Sequence, residues 1–86
     1  MTPTFAVYGQ DPATDVVEAL GTFASAMDAN RFAVETCEQV AERHINRGVE
    51  GVRWLAADPG RRYEVWSADG LAYLVTIEEV EPGEEP

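Results

Sequence analysis

Apolar and polar positions follow one another along this chain in a pattern that predicts five strands and one long helix. Between Ser25 and Gly48, apolar or small residues recur every three or four positions, which is the period of an amphipathic helix. These residues are Ala29, Ala33, Cys37, Val40, Ala41 and His44. Ser25 is a favourable N-cap, and Gly48 follows a basic turn where helices commonly end. We therefore predict a helix of about 22 residues, roughly 33 Å long.

Four other segments have the alternation or the β-branched and aromatic content of strands. They cover residues 4–9, 52–57, 61–67 and 71–80. The tripeptide Asp58-Pro59-Gly60 and the dipeptide Asp69-Gly70 separate the last three segments. Both sequences are typical of tight turns, because Pro presets φ and Gly accepts a positive φ. The last three strands are therefore expected to form consecutive hairpins.

The segment Val16–Phe23 fits two structures. Its apolar residues have helical spacing, and Asp15 stands where a helix cap would stand. The adjacent valines, the internal Gly21 and the new N-cap at Ser25 favour a strand that returns beside the first one. We predict the strand. The alternative is a helical hairpin packed on a three-stranded sheet.

The predicted order of elements, β-β-α-β-β-β, describes an α+β domain. We expect a small antiparallel sheet of about five strands with one long helix packed across one face. A chain of 86 residues forms one domain with a modest core, which we assign to residues 1–80. Residues 81–86, Glu-Pro-Gly-Glu-Glu-Pro, are predicted to form an acidic disordered tail.

One helix covers only one face of a sheet, so the last hairpin decides which apolar side chains remain uncovered. If Asp69-Gly70 forms its turn, Trp66 lies opposite Tyr73 and Val65 lies opposite Leu74. We assign the face with Trp66 and Tyr73 to the core, under the helix. The uncovered face is then predicted to bind a protein through Leu55, Tyr63, Val65, Ala72 and Leu74.

This uncovered face is the basis of the functional prediction. Burying about 400 Å² of apolar surface against a partner contributes roughly 10 kcal/mol before the costs of association. We therefore predict a small acidic module for protein–protein interaction, acting as an adaptor, an inhibitor or a homodimer. The competing explanation is that the exposed apolar residues are isolated from one another, as on any protein surface.

Charge excludes one class of partner and suggests another function. Sixteen acidic residues oppose six arginines, with no lysine, and the net charge is −10. Because phosphate repels such a protein, we expect no direct binding to nucleic acid. The alternative function is that of a nucleic-acid mimic, which would occupy a basic groove of a DNA- or RNA-binding protein. An acidic surface selected for solubility explains the same composition.

Few other residues suggest a ligand-binding, catalytic or metal site. Arg53, Arg61 and Arg62 form a predicted basic cluster that suits an anion or a carboxylate. Cys37 and His44 share the helix stripe, but about 10 Å of helical rise separates them, which is too far for proton transfer. A zinc site needs more ligands than one Cys and one His. We therefore predict no enzyme, no metal site and no cofactor.

The expected compartment follows from what the sequence lacks. No apolar run approaches the 18 residues of a membrane span, and the first residues have no basic-then-apolar signal pattern. The single cysteine cannot form an intramolecular disulfide. We predict a cytoplasmic protein that does not bind membranes.

Overall fold

A computed structural model of the chain describes residues 3–81. One helix lies across one five-stranded antiparallel sheet, so the predicted α+β architecture is confirmed. The elements are β1 (Thr4–Asp11), β2 (Val16–Phe23), α1 (Ala26–Asn46), β3 (Arg53–Asp58), β4 (Arg62–Ser67) and β5 (Gly70–Val80). The predicted tail lies, apart from Glu81, outside the described residues.

The strand order is β2-β1-β5-β4-β3, and every neighbouring pair is antiparallel. The sheet is staggered about its central strand. β1 pairs with residues 74–80 of β5, whereas β4 pairs with residues 70–76. Only residues 74–76 therefore have a strand on both sides, and β2 and β3 form the two edges.

The ends of α1 confirm the signals in the sequence. The Ser25 hydroxyl accepts a hydrogen bond from the Asp28 N–H at 3.1 Å, as an N-cap does. At the other end, Gly48 has φ +83°, and the Val49 N–H donates to the His44 carbonyl at 3.0 Å. This is a Schellman motif, which requires the left-handed backbone that glycine adopts without strain.

The segment Val16–Phe23 is a strand, as predicted. It pairs with β1 along its whole length, with a β-bulge where Val7 gives way to Tyr8. The connecting turn is closed by the Asp15 N–H, which donates to the Asp11 carbonyl at 3.0 Å. Asp15 has φ +61°, a conformation that Asp tolerates better than most residues.

The core lies between α1 and the sheet. The helix contributes small residues, which allow it to approach closely, and the sheet contributes larger ones. The buried cluster consists of Val7, Ala29, Ala33, Cys37, Val40, Ala41, Tyr63, Val65, Val75 and Ile77. The Tyr63 hydroxyl donates to Asn30 Oδ1 on α1 and accepts from the Gly60 N–H at 3.0 Å. This side chain therefore joins the helix to the β3–β4 turn.

The predicted register of the β4–β5 hairpin is wrong. The two turn residues are Ala68 and Asp69, and Gly70 pairs with Ser67. One reason is local: the Ser67 hydroxyl accepts the Asp69 N–H at 3.2 Å, and Gly70 takes a φ of +123° at the start of β5. This shift of the turn by itself would not exchange the two faces, because it changes the pairing by two residues.

A β-bulge exchanges the faces. Beyond the pair of Trp66 and Leu71, β5 contains one extra residue, Ala72, so Val65 lies opposite Tyr73 instead of Leu74. A one-residue change of register moves side chains to the other side of a sheet. The face with Val65 and Tyr73 is consequently the covered one, and Trp66 lies on the side away from α1.

Candidate functional site

The side of the sheet away from α1 is called the open face here. The register places residues of all five strands on it. They include Tyr8, Gln10, Val17, Arg53, Leu55, Asp58, Arg62, Glu64, Trp66, Leu74, Thr76 and Glu78. No other element of residues 3–81 covers this face.

The structure brings together two of the five predicted binding residues. Leu55 and Leu74 lie on the open face, in register with Glu64 of β4 between them. The placement of Tyr63 and Val65 on this face is wrong, because both are buried under α1, at 3% and 0% exposure. Ala72, the bulge residue, packs against the core instead.

The sequence-based assignment of Trp66 to the core is wrong. The side chain lies on the open face, where a carboxylate holds it by a hydrogen bond. Its indole N–H donates to Glu64 Oε1 at 3.1 Å, and Arg62 Nε donates to Glu64 Oε2 at 2.9 Å. These hydrogen bonds, that of Trp66 first, hold the pKa of Glu64 below its ordinary value. Arg62, Glu64 and Trp66 alternate with the three buried residues of β4, and the two charged members of this alternation were the signal in the sequence that identifies the solvent-facing side.

The centre of the open face is mixed in polarity. Leu74 lies between Gln10 and Glu64 in register, and Tyr8 lies beside Thr76. A shallow depression of about 350 Å³ runs between these side chains of β1 and β5. The continuous apolar surface predicted from the sequence is therefore absent from the centre of the described sheet.

Large apolar side chains of the sheet are instead exposed at its two edges. All six residues of β3 are exposed. Trp54 is 37% exposed on the helix side, where α1 does not cover it, and its ring lies 6.4 Å from that of Tyr63. Leu55 is 40% exposed on the open face. The opposite edge exposes Val16 and Val17 at the start of β2.

The three predicted anion-binding arginines do not form a cluster. Arg53 lies opposite Trp66 at one end of the β3–β4 pair, and Arg62 lies opposite Asp58 at the other end. Four strand residues separate these ends, a distance of roughly 13 Å. Arg61 lines a different depression, of about 470 Å³, together with Glu79. The expectation that Arg53, on the neighbouring strand, would lie beside Arg61 and Arg62 is therefore wrong.

Cys37 and His44 occupy structural positions. Cys37 is fully buried, and burial followed by the charge of Glu38 raises its pKa to about 11. His44 Nδ1 donates to the Val40 carbonyl at 2.8 Å, which fixes the ring against its own helix. Within residues 3–81, no group of three His, Cys, Asp or Glu side chains is placed to hold a metal ion.

Comparisons of the chain with protein-family models, with curated proteins and with solved structures find no match. In the described part of the chain, no helix has both the length and the hydropathy that crossing a bilayer requires. The proposals below rest on the contacts and exposure of this chain's own residues.

Proposed function

We propose that the protein is a protein–protein interaction module that binds its partner through the open face, at the end near β3. The observation that carries the proposal is the exposure of all of β3, with Leu55 uncovered on this face. Trp66 and Leu74 lie on the neighbouring strands of the same face. Tryptophan is enriched among residues that dominate binding energy, and leucine adds apolar area.

The hydrogen bonds around Glu64 support this proposal. Arg62 and Trp66 hold its carboxylate from two sides, so the three side chains lose little conformational freedom when a partner covers them. The ion pair also means that neither Arg62 nor Glu64 would be buried as an unpaired charge, which is a main cost of covering such a surface. A partner with an apolar centre and a polar rim suits it.

The alternative, a nucleic-acid mimic, receives less support from the positions of the acids. Such a mimic presents its carboxylates on one surface, as the phosphates of a duplex do. Here the acids are spread over the outer side of α1, the turns and the far end of β5. Examples are Glu38, Asp15, Asp69 and Glu79. We therefore propose the interaction module, without catalytic activity and in the cytoplasm, as the principal function.

Site-specific photo-crosslinking in the cells that make the protein tests this function. A photoreactive amino acid is placed at Leu74, at Leu55 and, as a control, at Glu38 on the outer side of α1. The proposal predicts the same covalent adduct from the first two positions and none from the third. No adduct at any position, or the same adducts at all three, would contradict it.

A further inference from the structure

The backbone of β3 has two residues whose hydrogen-bonding groups point away from the sheet. The Ile77 N–H donates to the Arg61 carbonyl at 2.8 Å. Because backbone groups of a strand alternate in direction, Arg61, Tyr63 and Val65 direct their N–H and C=O groups toward β5. The intervening β4 residues, Arg62, Glu64 and Trp66, then direct theirs toward β3. Their partners there are Asp58, Leu55 and Arg53. Trp54 and Ala56 consequently present their N–H and C=O groups at the outer edge.

The side chains of β3 are complementary to a second, antiparallel β3. Residues opposite each other in such a pair lie on the same face, so the pairing is centred on a residue. Centred on Leu55, it places the two leucines opposite each other on the open face. Each Trp54 then lies opposite Ala56 of the other copy, on the helix side. These are the two residues whose backbone groups are directed outward.

Charges at the ends of β3 match in the same register. In this register Arg53 of one copy lies opposite Ala57 of the other, the bulge residue next to Asp58, and both Arg53 and Asp58 have their side chains on the open face. Among residues 3–81 the one ion pair is that of Arg62 with Glu64, so neither end has an ionic partner within the chain. Arg53 of each copy therefore lies near Asp58 of the other, and the two-fold axis gives this contact twice.

We propose that the protein forms a homodimer in which β3 pairs with β3 of a second copy, antiparallel and centred on Leu55. The product is one continuous ten-stranded sheet. Trp54 and Ala56 of each copy exchange backbone hydrogen bonds with Ala56 and Trp54 of the other. The two Trp54 side chains become diagonal neighbours, which aromatic rings reach at a spacing of about 7–8 Å.

The other edge of the sheet is less suited to this pairing. β2 contains Glu18 near its middle and Gly21, so self-pairing about Glu18 would oppose two like charges. The whole chain also carries −10, which opposes any dimer at long range. At physiological ionic strength the Debye length is about 8 Å, so this repulsion is screened while close pairs still attract. A six-residue edge gives a small contact area, and we expect a weak, concentration-dependent dimer.

Sedimentation equilibrium from micromolar to millimolar protein, at physiological ionic strength, tests the dimer. Ala56→Pro removes an outward N–H without removing a hydrogen bond to β4, and we expect it to abolish dimerisation while the circular dichroism spectrum is retained. Leu74→Glu, on the open face away from the edge, should dimerise like the wild type. A wild type that remains monomeric at the highest concentration refutes the proposal, as does an Ala56→Pro variant that folds and dimerises normally.

A cysteine at the proposed two-fold axis tests the register. Leu55 would lie in a non-hydrogen-bonded pair, with Cα atoms about 4.5 Å apart, within the range that disulfides span. Leu55→Cys should therefore form a disulfide-linked dimer on mild oxidation. Val16→Cys, on the other edge and more exposed than Leu55, should not, and the native Cys37 is buried. Crosslinking of Val16→Cys with none of Leu55→Cys would overturn this interface.

Reversing the charges supplies an independent arm. Arg53→Glu and Asp58→Arg each oppose like charges twice across the dimer, so each should weaken association about tenfold, the factor that corresponds to 1.4 kcal/mol. The double variant restores opposite charges and should restore association. A double variant as weak as the single variants would contradict the proposed pairing.

The proposed dimer and the proposed partner binding can be refuted independently of each other. Dimerisation uses the backbone edge of β3, whereas partner binding uses the open face around Leu74. Ala56→Pro should abolish the dimer and leave the photo-crosslink from position 74 in place. Leu74→Glu should leave the dimer in place and remove the crosslink from position 55 to the partner protein, while a crosslink from position 55 to a second copy of this chain should remain.

Discussion

Deleting single residues from β5 tests whether the bulge at Ala72 sets the two faces of the sheet. Without Ala72, Leu71 and Tyr73 become adjacent and match the adjacent residues Trp66 and Val65 of β4. The deletion should therefore remove the bulge and leave every other side chain on its present face. Deleting Leu74 instead keeps the bulge and shifts the rest of β5 by one residue, which exchanges its faces.

The two deletions differ in expected cost by several kcal/mol. Removing Ala72 loses one small, partly buried side chain, which costs about 1 kcal/mol on the scale of one buried methyl or methylene. Removing Leu74 turns Val75 and Ile77 out of the core, where they are 0% and 8% exposed. Each loses about 1.5–3 kcal/mol of burial, and Glu78 and Thr76 turn inward. Burying the Glu78 carboxylate adds several kcal/mol. Together with the losses at Val75 and Ile77, this cost approaches the total free energy of unfolding of a small domain, about 5–15 kcal/mol.

Urea unfolding monitored by circular dichroism and by tryptophan fluorescence measures both variants. We expect a cooperative transition for the Ala72 deletion, with its midpoint only slightly lower than that of the wild type. The Leu74 deletion should show no cooperative transition. If the Ala72 deletion unfolds the protein, or if both deletions have equal midpoints, the bulge does not determine the faces as argued.

Four further outcomes follow from individual contacts. Gly9→Ala should cost about 1–3 kcal/mol, because its Cβ would lie 2.7 Å from Tyr73 Cζ, and thermal melts should show a smaller cost in a Tyr73→Leu background. Tyr63→Phe leaves the half-buried Asn30 side chain and the exposed Gly60 N–H without their hydroxyl partner and should lower stability by about 0.5–1.5 kcal/mol, with a Tm shift of about 4–8 °C per kcal/mol. Cys37, with its pKa raised to about 11, should react with a thiol reagent at about pH 8 only at the rate of unfolding. The pKa of the Glu64 carboxyl is lowered from 4.5 in the folded protein. The ionised carboxylate therefore stabilises the fold above that pH, and this contribution is lost as the pH falls through the lower pKa of the folded state. The urea midpoint of Glu64→Gln should accordingly fall less steeply on acidification than that of the wild type.

Local signals predicted the elements well because their physical causes are local. Ser25 caps α1 through a bond to a residue three positions away, and Gly48 ends it through its own φ. The segment Val16–Phe23 was recognised as a strand from its β-branched residues and from the helix start that follows. Turns containing Pro and Gly then delimited the remaining strands. None of these inferences required information about tertiary packing.

The faces of the last hairpin could not be predicted by counting from a turn, because the count passes through a bulge. Trp66 and Val65 thereby exchanged their predicted positions, and three of five predicted binding residues moved to the covered side. The alternation within β4 alone indicated the correct face, since Arg62 and Glu64 share it. The lateral position of α1, with which all of β3 stays exposed, depends on packing across the whole sheet and cannot be read from any periodicity in the sequence.

The stagger of the sheet explains why exposed apolar residues of the strands lie at its two edges, on β2 and β3, and not at the centre. β1 and β4 pair with different halves of β5, so a helix that packs over the region where they overlap contacts these three strands most and the two edge strands, β2 and β3, least. Trp54 therefore remains partly exposed on the helix side of β3, while Leu55 is exposed on the open face, which no helix covers. A partner that covers only the open face reaches Leu55 but not Trp54. A second β3 placed along the edge shelters both side chains and also pairs the outward backbone groups, which is why we expect the edge to associate with its own copy.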